Sequence, residues 1–218
     1  MSQLALPLAW PADPSDDAFL VGPSNERAVR ELDRWRDWPV RTALLIGPRK
    51  SGRSLLARIF AAKSGGAIVD DADGQPETVL FHAWNRAEAE GRPTLFVANQ
   101  VPPGWEVRLP DLRSRLAASP IAAIGAPDDD LACVLLDRLL TARGLDVRAD
   151  LLDWLGARIE RSHLAVMRAA DALGDRAMER RARLSIPFAR ATLAEAGLLG
   201  PAPSPPAPSL PAVPDPTP

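Results

Sequence analysis

Cysteine is almost absent: Cys133 is the only one in 218 residues. A single thiol allows no disulfide within the chain and no cysteine-built metal site, which fits a reducing compartment. Set in the apolar run Leu131-Ala132-Cys133-Val134-Leu135-Leu136, it is expected to be a buried small hydrophobe. Histidine is scarce too. His82 and His163 lie far apart without ligand-like neighbours, so neither is expected to hold a metal. Lysine occurs twice, as Lys50 and Lys63, and the net charge is −2. The chain therefore lacks the overall basic footprint of a nucleic-acid binder. No apolar run approaches the roughly 20 residues of a membrane helix. The apolar start, Met1 to Leu8, has no positive flank and no signal-peptide core. These absences lead to the expectation of a cytoplasmic protein with no membrane contact.

Glycine is concentrated where it carries chemistry. Gly47-Pro48-Arg49-Lys50-Ser51-Gly52-Arg53-Ser54 is a phosphate-binding loop with one letter changed: Arg53 stands where the pattern has lysine. Thr42 to Ile46 before it reads as a buried strand, and Ser54 to Phe60 after it as a helix. That context lets backbone N–H groups and a helix N-terminus face a phosphate. The expected nucleotide contacts are Gly47, Lys50, Ser51, Gly52, Arg53, Ser54 and Leu55. Arg53 neutralises phosphate with a planar fork instead of a compact ammonium.

A second strand, Ala67-Ile68-Val69, ends in Asp70-Asp71. An acidic strand end beside a phosphate loop can hold Mg²⁺, here with Ser54 and Asp70 as the metal-side residues and Asp71 as a further nucleotide-site carboxylate. The other reading is a solvated acidic turn. Fifteen residues lie between Ser54 and Asp70, too few for a helix, an extra strand and its connection, so a sheet missing one element is expected.

Along the chain, Asn25 reads as the cap of a helix to about Trp38. Helix 77–90, strand 94–98, a short helix 111–116 and strand 121–124 follow. Strands alternating with helices predict a parallel sheet covered on both faces. After Pro127 only helices are expected, at 128–142, 149–159, 163–173 and 187–196, with Gly144 and Gly174 as breaks. From Pro201 half the residues are proline, a polyproline-like or disordered tail.

Two further segments stand out. Leu109 to Leu116 carries Arg113 and Arg115 on a short helix; Arg115 could reach another subunit's γ-phosphate as an arginine finger, or simply face solvent. Gln3-Leu4-Ala5-Leu6-Pro7-Leu8 suits docking in an apolar groove, through the Gln3 amide and the Leu4, Leu6 and Leu8 side chains, with Pro7 lowering the ordering cost.

Together these residues resemble the Hda family of DnaA-related AAA+ proteins, over nearly the whole chain to about residue 199. Gln3 to Leu8 is similar to that family's hexapeptide for the DNA polymerase sliding clamp. Phe19 to Asn25 resembles the segment opening the nucleotide domain, and Leu80-Phe81-His82-Ala83-Trp84-Asn85-Arg86 and Leu109 to Leu116 resemble family blocks. The resemblance implies a P-loop AAA+ α/β fold with a small all-helical lid. It implies a clamp-binding arm at 1–18, a nucleotide domain at 19–126, a lid at 127–199 and a tail at 200–218. It implies ADP or ATP with Mg²⁺ at the loop, Arg115 as a finger acting in trans on DnaA, and the sliding clamp and DnaA as partners. Self-association into a homodimer stays open, and no sequence-specific DNA binding is expected. Phosphate loops of this family also carry arginine. Against the family pattern, Gln100 stands at the sensor-1 position where aspartate is usual. Leu164 stands near the sensor-2 arginine, with Arg161 and Arg168 close by. Two alternatives are compatible with the same residues: a self-sufficient AAA+ ATPase, and a nucleotide-free clamp-binding scaffold.

Overall fold

The computed structural model describes residues 19–200. The Gln3–Leu8 motif and the proline-rich tail lie outside them. Four strands, β1 (Thr42–Ile46), β2 (Ala67–Val69), β3 (Thr94–Ala98) and β4 (Ile121–Ala123), form one parallel sheet in the order β2-β3-β1-β4. Helices α1 (Glu26–Asp33), α2 (Arg53–Ser64), α3 (Glu77–Glu90) and α4 (Pro110–Ala118) alternate with them. Between the two glycine-bounded elements α2 and β2 there is room for no further strand.

Strand side chains alternate between two apolar layers, as the twofold period of a strand requires. Ala43, Leu45, Leu95 and Val97 pack with Leu32 of α1 and Leu56 and Phe60 of α2. Leu44, Phe96 and Ala98 pack on the other face with Leu80 of α3 and Leu112 and Leu116 of α4. Because both faces are covered, the strands read as continuous apolar runs. At the amino end of the sheet, the Thr42 and Ser119 hydroxyls share a buried hydrogen bond of 2.8 Å.

Four helices follow: α5 (Asp129–Thr141), α6 (Ala149–Gly156), α7 (His163–Arg180) and α8 (Ile186–Glu195). They enclose a separate apolar cluster that includes Leu136, Leu140, Leu155, Leu173 and Leu193. Asp128, Ser162 and Ser185 cap α5, α7 and α8 by accepting from backbone N–H groups three residues on.

Three expectations need correction. The first helix stops at Asp33 and continues as a 3₁₀ turn, Trp35–Asp37. Asn25 sits at its N-cap position without capping it. Its buried side chain turns back, accepting from Gly22 N at 2.9 Å and donating to Leu20 O at 2.8 Å, which pins segment 20–25. Helix α7 runs through Gly174 to Arg180. A Cβ at Gly174 would lie 2.7 Å from Arg143 Cδ, so the glycine admits the crossing Arg143 side chain. Cys133 is half-buried, its Sγ 3.7 Å from Leu152 O. Burial, then the nearby Asp153 charge, push its thiol pKa upward.

Candidate functional site

The loop from Gly47 to Gly52 leaves the carboxyl end of β1 and feeds α2. That end of a parallel sheet is where open α/β folds place ligands. Helix α2 begins after Gly52, which is left-handed (φ 86°) and supplies no capping side chain. The first-turn N–H groups of Arg53, Ser54 and Leu55 thus have no intrahelical partner and lie at the positive end of a 12-residue helix. Lys50, at the turn of the loop, is also left-handed (φ 68°) and exposed. The backbone is tightly walled. A Cβ at Gly47 would sit 2.9 Å from Ile124 O, and one at Gly52 would sit 2.9 Å from the Phe19 ring. The Ser51 hydroxyl is buried with no hydrogen-bond partner.

The Ser54 hydroxyl donates to Asp70 Oδ2 at 3.2 Å, joining the start of α2 to the end of β2. Asp70 Oδ1 accepts the Asp71 N–H at 3.0 Å. Asp71 itself is left-handed (φ 51°), and its carboxylate lies against Gly74, where a Cβ would be 2.8 Å from Oδ2. The structure therefore brings Ser54 and Asp70 together, while the Asp71 carboxylate folds onto its own turn at Gly74.

Arg53 does not extend along the loop. Its guanidinium donates to Ala98 O and, at 2.9 Å, to Asn99 Oδ1. Asn99 in turn donates its backbone N–H and its side-chain amide to Asp73 Oδ2, at 3.0 and 2.8 Å. Gln100, which stands at the expected sensor-1 position, donates to Gly104 O within its own turn. Asn99 is the residue that meets the loop. The available signal was position: Asn99 is the first residue past the fully buried strand β3. An open cleft of about 580 Å³ beside these groups is lined by Gly47, Pro48, Asn99, Gln100, Ala123 and Ile124.

The helical region meets this end of the sheet through His163. This buried residue at the start of α7 has Nε2 3.2 Å from Gly125 O, just past β4. Burial lowers its pKa below the usual histidine value, against a smaller opposing effect of the Gly125 carbonyl. Next to it, Leu164 is exposed. Arg161 pairs with Asp129 at 2.7 Å, and Arg168 is exposed on α7.

Arg115 lies elsewhere. The Ser119 hydroxyl that pairs with Thr42 also donates to Arg115 O at 3.1 Å. This puts Arg115 near the amino end of β1, a strand's length from the loop at its carboxyl end. Its guanidinium is 4.3 Å from the Trp84 ring centre and 4.7 Å from that of Phe81. It also binds Asp111 Oδ2 at 2.8 Å and Asn85 Oδ1. Its partner Arg113 donates to Val107 O at 3.1 and 2.6 Å.

The residues present suit a nucleotide diphosphate or triphosphate: a walled glycine loop, uncapped helix N–H groups, an orphan serine hydroxyl and a Ser–Asp pair able to take Mg²⁺. Among the described residues no cluster of three or more His, Cys, Asp or Glu could hold a metal by itself, and no helix is long and apolar enough to cross a membrane.

No protein-family model matches the chain. An uncharacterized protein of Haemophilus influenzae is 28% identical over 118 residues, 54% of this chain and 51% of that protein. The chain thus spans about half the length of the curated relative it matches. Domain III of the Thermotoga maritima replication initiation protein DnaA superposes with a TM-score of 0.68 at 14% identity, covering 80% of this chain and 93% of that one. A point variant of Thermotoga maritima RuvB gives 0.61 at 15% identity, covering 80% and 70%. The replication initiator DnaA bound to AMPPCP and single-stranded DNA gives 0.57 at 14% identity, covering 74% and 65%. At these identities the likeness establishes the fold: a P-loop AAA+ parallel sheet of the DnaA and RuvB type.

Proposed function

We propose that the chain is a nucleotide-holding regulator of chromosome replication initiation. It holds ADP at the loop after β1, docks on the DNA polymerase sliding clamp through Gln3, Leu4, Leu6, Pro7 and Leu8, and stimulates ATP hydrolysis by DnaA with Arg115. Residues 47–55 would hold the phosphates through backbone N–H groups and Lys50. Ser54 and Asp70 would hold Mg²⁺, which neutralises phosphate charge when bound. The observation that carries the nucleotide half is the Ser54–Asp70 hydrogen bond beside the uncapped start of α2, on a DnaA-type fold. Two features favour regulation over self-sufficient hydrolysis. The Asp71 carboxylate lies against Gly74 and that of Asp73 is held by Asn99, so neither is aimed at the loop as a second free carboxylate, and Arg115 lies by the opposite end of β1 from its own loop. A finger so placed suits a nucleotide on another molecule.

The nucleotide released on denaturing freshly purified protein tests this reading. About one equivalent of ADP supports it. No released nucleotide, and no binding on titration with ADP, contradicts it. Steady-state turnover on the order of 1 s⁻¹ or faster would instead mark a self-sufficient ATPase. One observation favours the nucleotide-free scaffold as a second reading: the Arg53 guanidinium already has protein partners.

A further inference from the structure

We propose that Arg53 is a positioning residue, a strut that holds the phosphate loop, β3 and the turn after β2 in place without a ligand, and that it is not the loop's phosphate-binding cation. Ala98 is the last paired residue of β3, opposite Ile46, and beyond Ile46 the chain of β1 leaves into the loop. Arg53 supplies a donor to the Ala98 carbonyl at that ladder end and a second donor to Asn99 Oδ1 at 2.9 Å. A planar guanidinium offers two donors in fixed geometry; a lysine ammonium is a shorter point charge and does not reproduce that fork. Asn99 is itself fixed by two hydrogen bonds to Asp73 Oδ2, at 3.0 and 2.8 Å. The chain of contacts Arg53–Asn99–Asp73 therefore crosses from the start of α2, over the end of β3, to the 3₁₀ turn Ala72–Gly74. All three pieces of the site are tied together by protein groups alone. The substitution of lysine by arginine in the loop then has a structural cause. Of the other two loop cations, Arg49 and Lys50, both exposed, Lys50 stands at the left-handed turn of the loop and is the one assigned to phosphate.

The strut itself does not depend on the nucleotide reading; the choice of Lys50 as phosphate cation rests on it. The test is a double-mutant cycle on nucleotide-free protein, read by thermal unfolding, with Arg53→Met, Asn99→Ala and the double variant. Arg53→Met and Asn99→Ala should each lower Tm by about 3 °C or more. The double variant should fall clearly less than the sum, because both remove the same link. Arg53→Lys should also lower Tm, since the fork is lost while the charge stays. Unchanged Tm in Arg53→Met, or additive losses, would overturn the strut. If Arg53→Met does not fold, Arg53→Lys and Asn99→Ala complete the same cycle. ADP titration separates the second half of the claim. Lys50→Ala should weaken ADP binding by tenfold or more and more than Arg53→Lys does. The reverse order would make Arg53 the phosphate ligand. Absence of ADP binding in the unaltered protein would refute the nucleotide reading and leave the melting result to decide the strut.

Discussion

The Arg115 guanidinium lies 4.3 Å over the indole of Trp84, with Phe81 on a second side at 4.7 Å and Asp111 at 2.8 Å. The guanidinium is thus held by its own chain, with its side chain only 22% exposed. Cation–π contacts of this kind are worth about 0.5–2 kcal/mol according to exposure. Arg115→Ala should lower stability by about 1–2 kcal/mol in urea unfolding, and Trp84→Ala by more, since it also removes packed aromatic surface. A stability of Arg115→Ala equal to that of the unaltered protein would mean the guanidinium is free in solution.

Gly52 combines a left-handed backbone with contact to the Phe19 ring. Gly52→Ala should cost about 1–3 kcal/mol, from the strained φ and from displacement of Phe19. Gly65, equally left-handed but with nothing within 4 Å of a Cβ, is the control. Gly65→Ala should cost less, because only the backbone term remains. Equal losses would mean that the Phe19 contact contributes nothing.

His163 sets a pH dependence. Its folded pKa is lowered by burial, so the unfolded chain binds the proton more readily. Stability should therefore be full above the ordinary histidine pKa of 6.5. It should decline as pH falls below that value, until the folded-state pKa is passed. In His163→Gln this part of the pH profile should flatten. A profile unchanged by the substitution would assign the slope to other groups.

The strands were legible because burial on both faces makes them contiguous apolar runs closed by Gly, Pro or Asp: Thr42–Ile46, Ala67–Val69 and Thr94–Ala98 stand where the sequence placed them. That α2 leads directly into β2 with no strand between them followed from the spacing between Ser54 and Asp70. What escaped depended on tertiary neighbours. Gly174 reads as a break by propensity, yet the crossing of Arg143 makes a small residue useful inside a helix. Asn99 and Asp73 are 26 residues apart, and nothing local announces that they meet. Gln100, placed by resemblance at the sensor position, bonds within its own turn, while the contact to Arg53 is made by its neighbour Asn99, a difference that depends on the fold around the end of β3. A sequence motif likewise carries no information that Ala98 O and Asn99 Oδ1 lie within reach of Arg53.

In the proposed function this chain acts through Arg115 on a nucleotide held by another molecule. The most direct test is hydrolysis of DnaA-bound ATP in the presence of clamp-loaded DNA, comparing the unaltered chain with Arg115→Ala. Clamp pull-down should be kept by Arg115→Ala and lost in a Leu6→Ala, Pro7→Ala variant. The account predicts that the unaltered chain stimulates hydrolysis by tenfold or more and that Arg115→Ala does not, while still bound to the clamp. Stimulation undiminished in Arg115→Ala, or none from the unaltered chain, would contradict it.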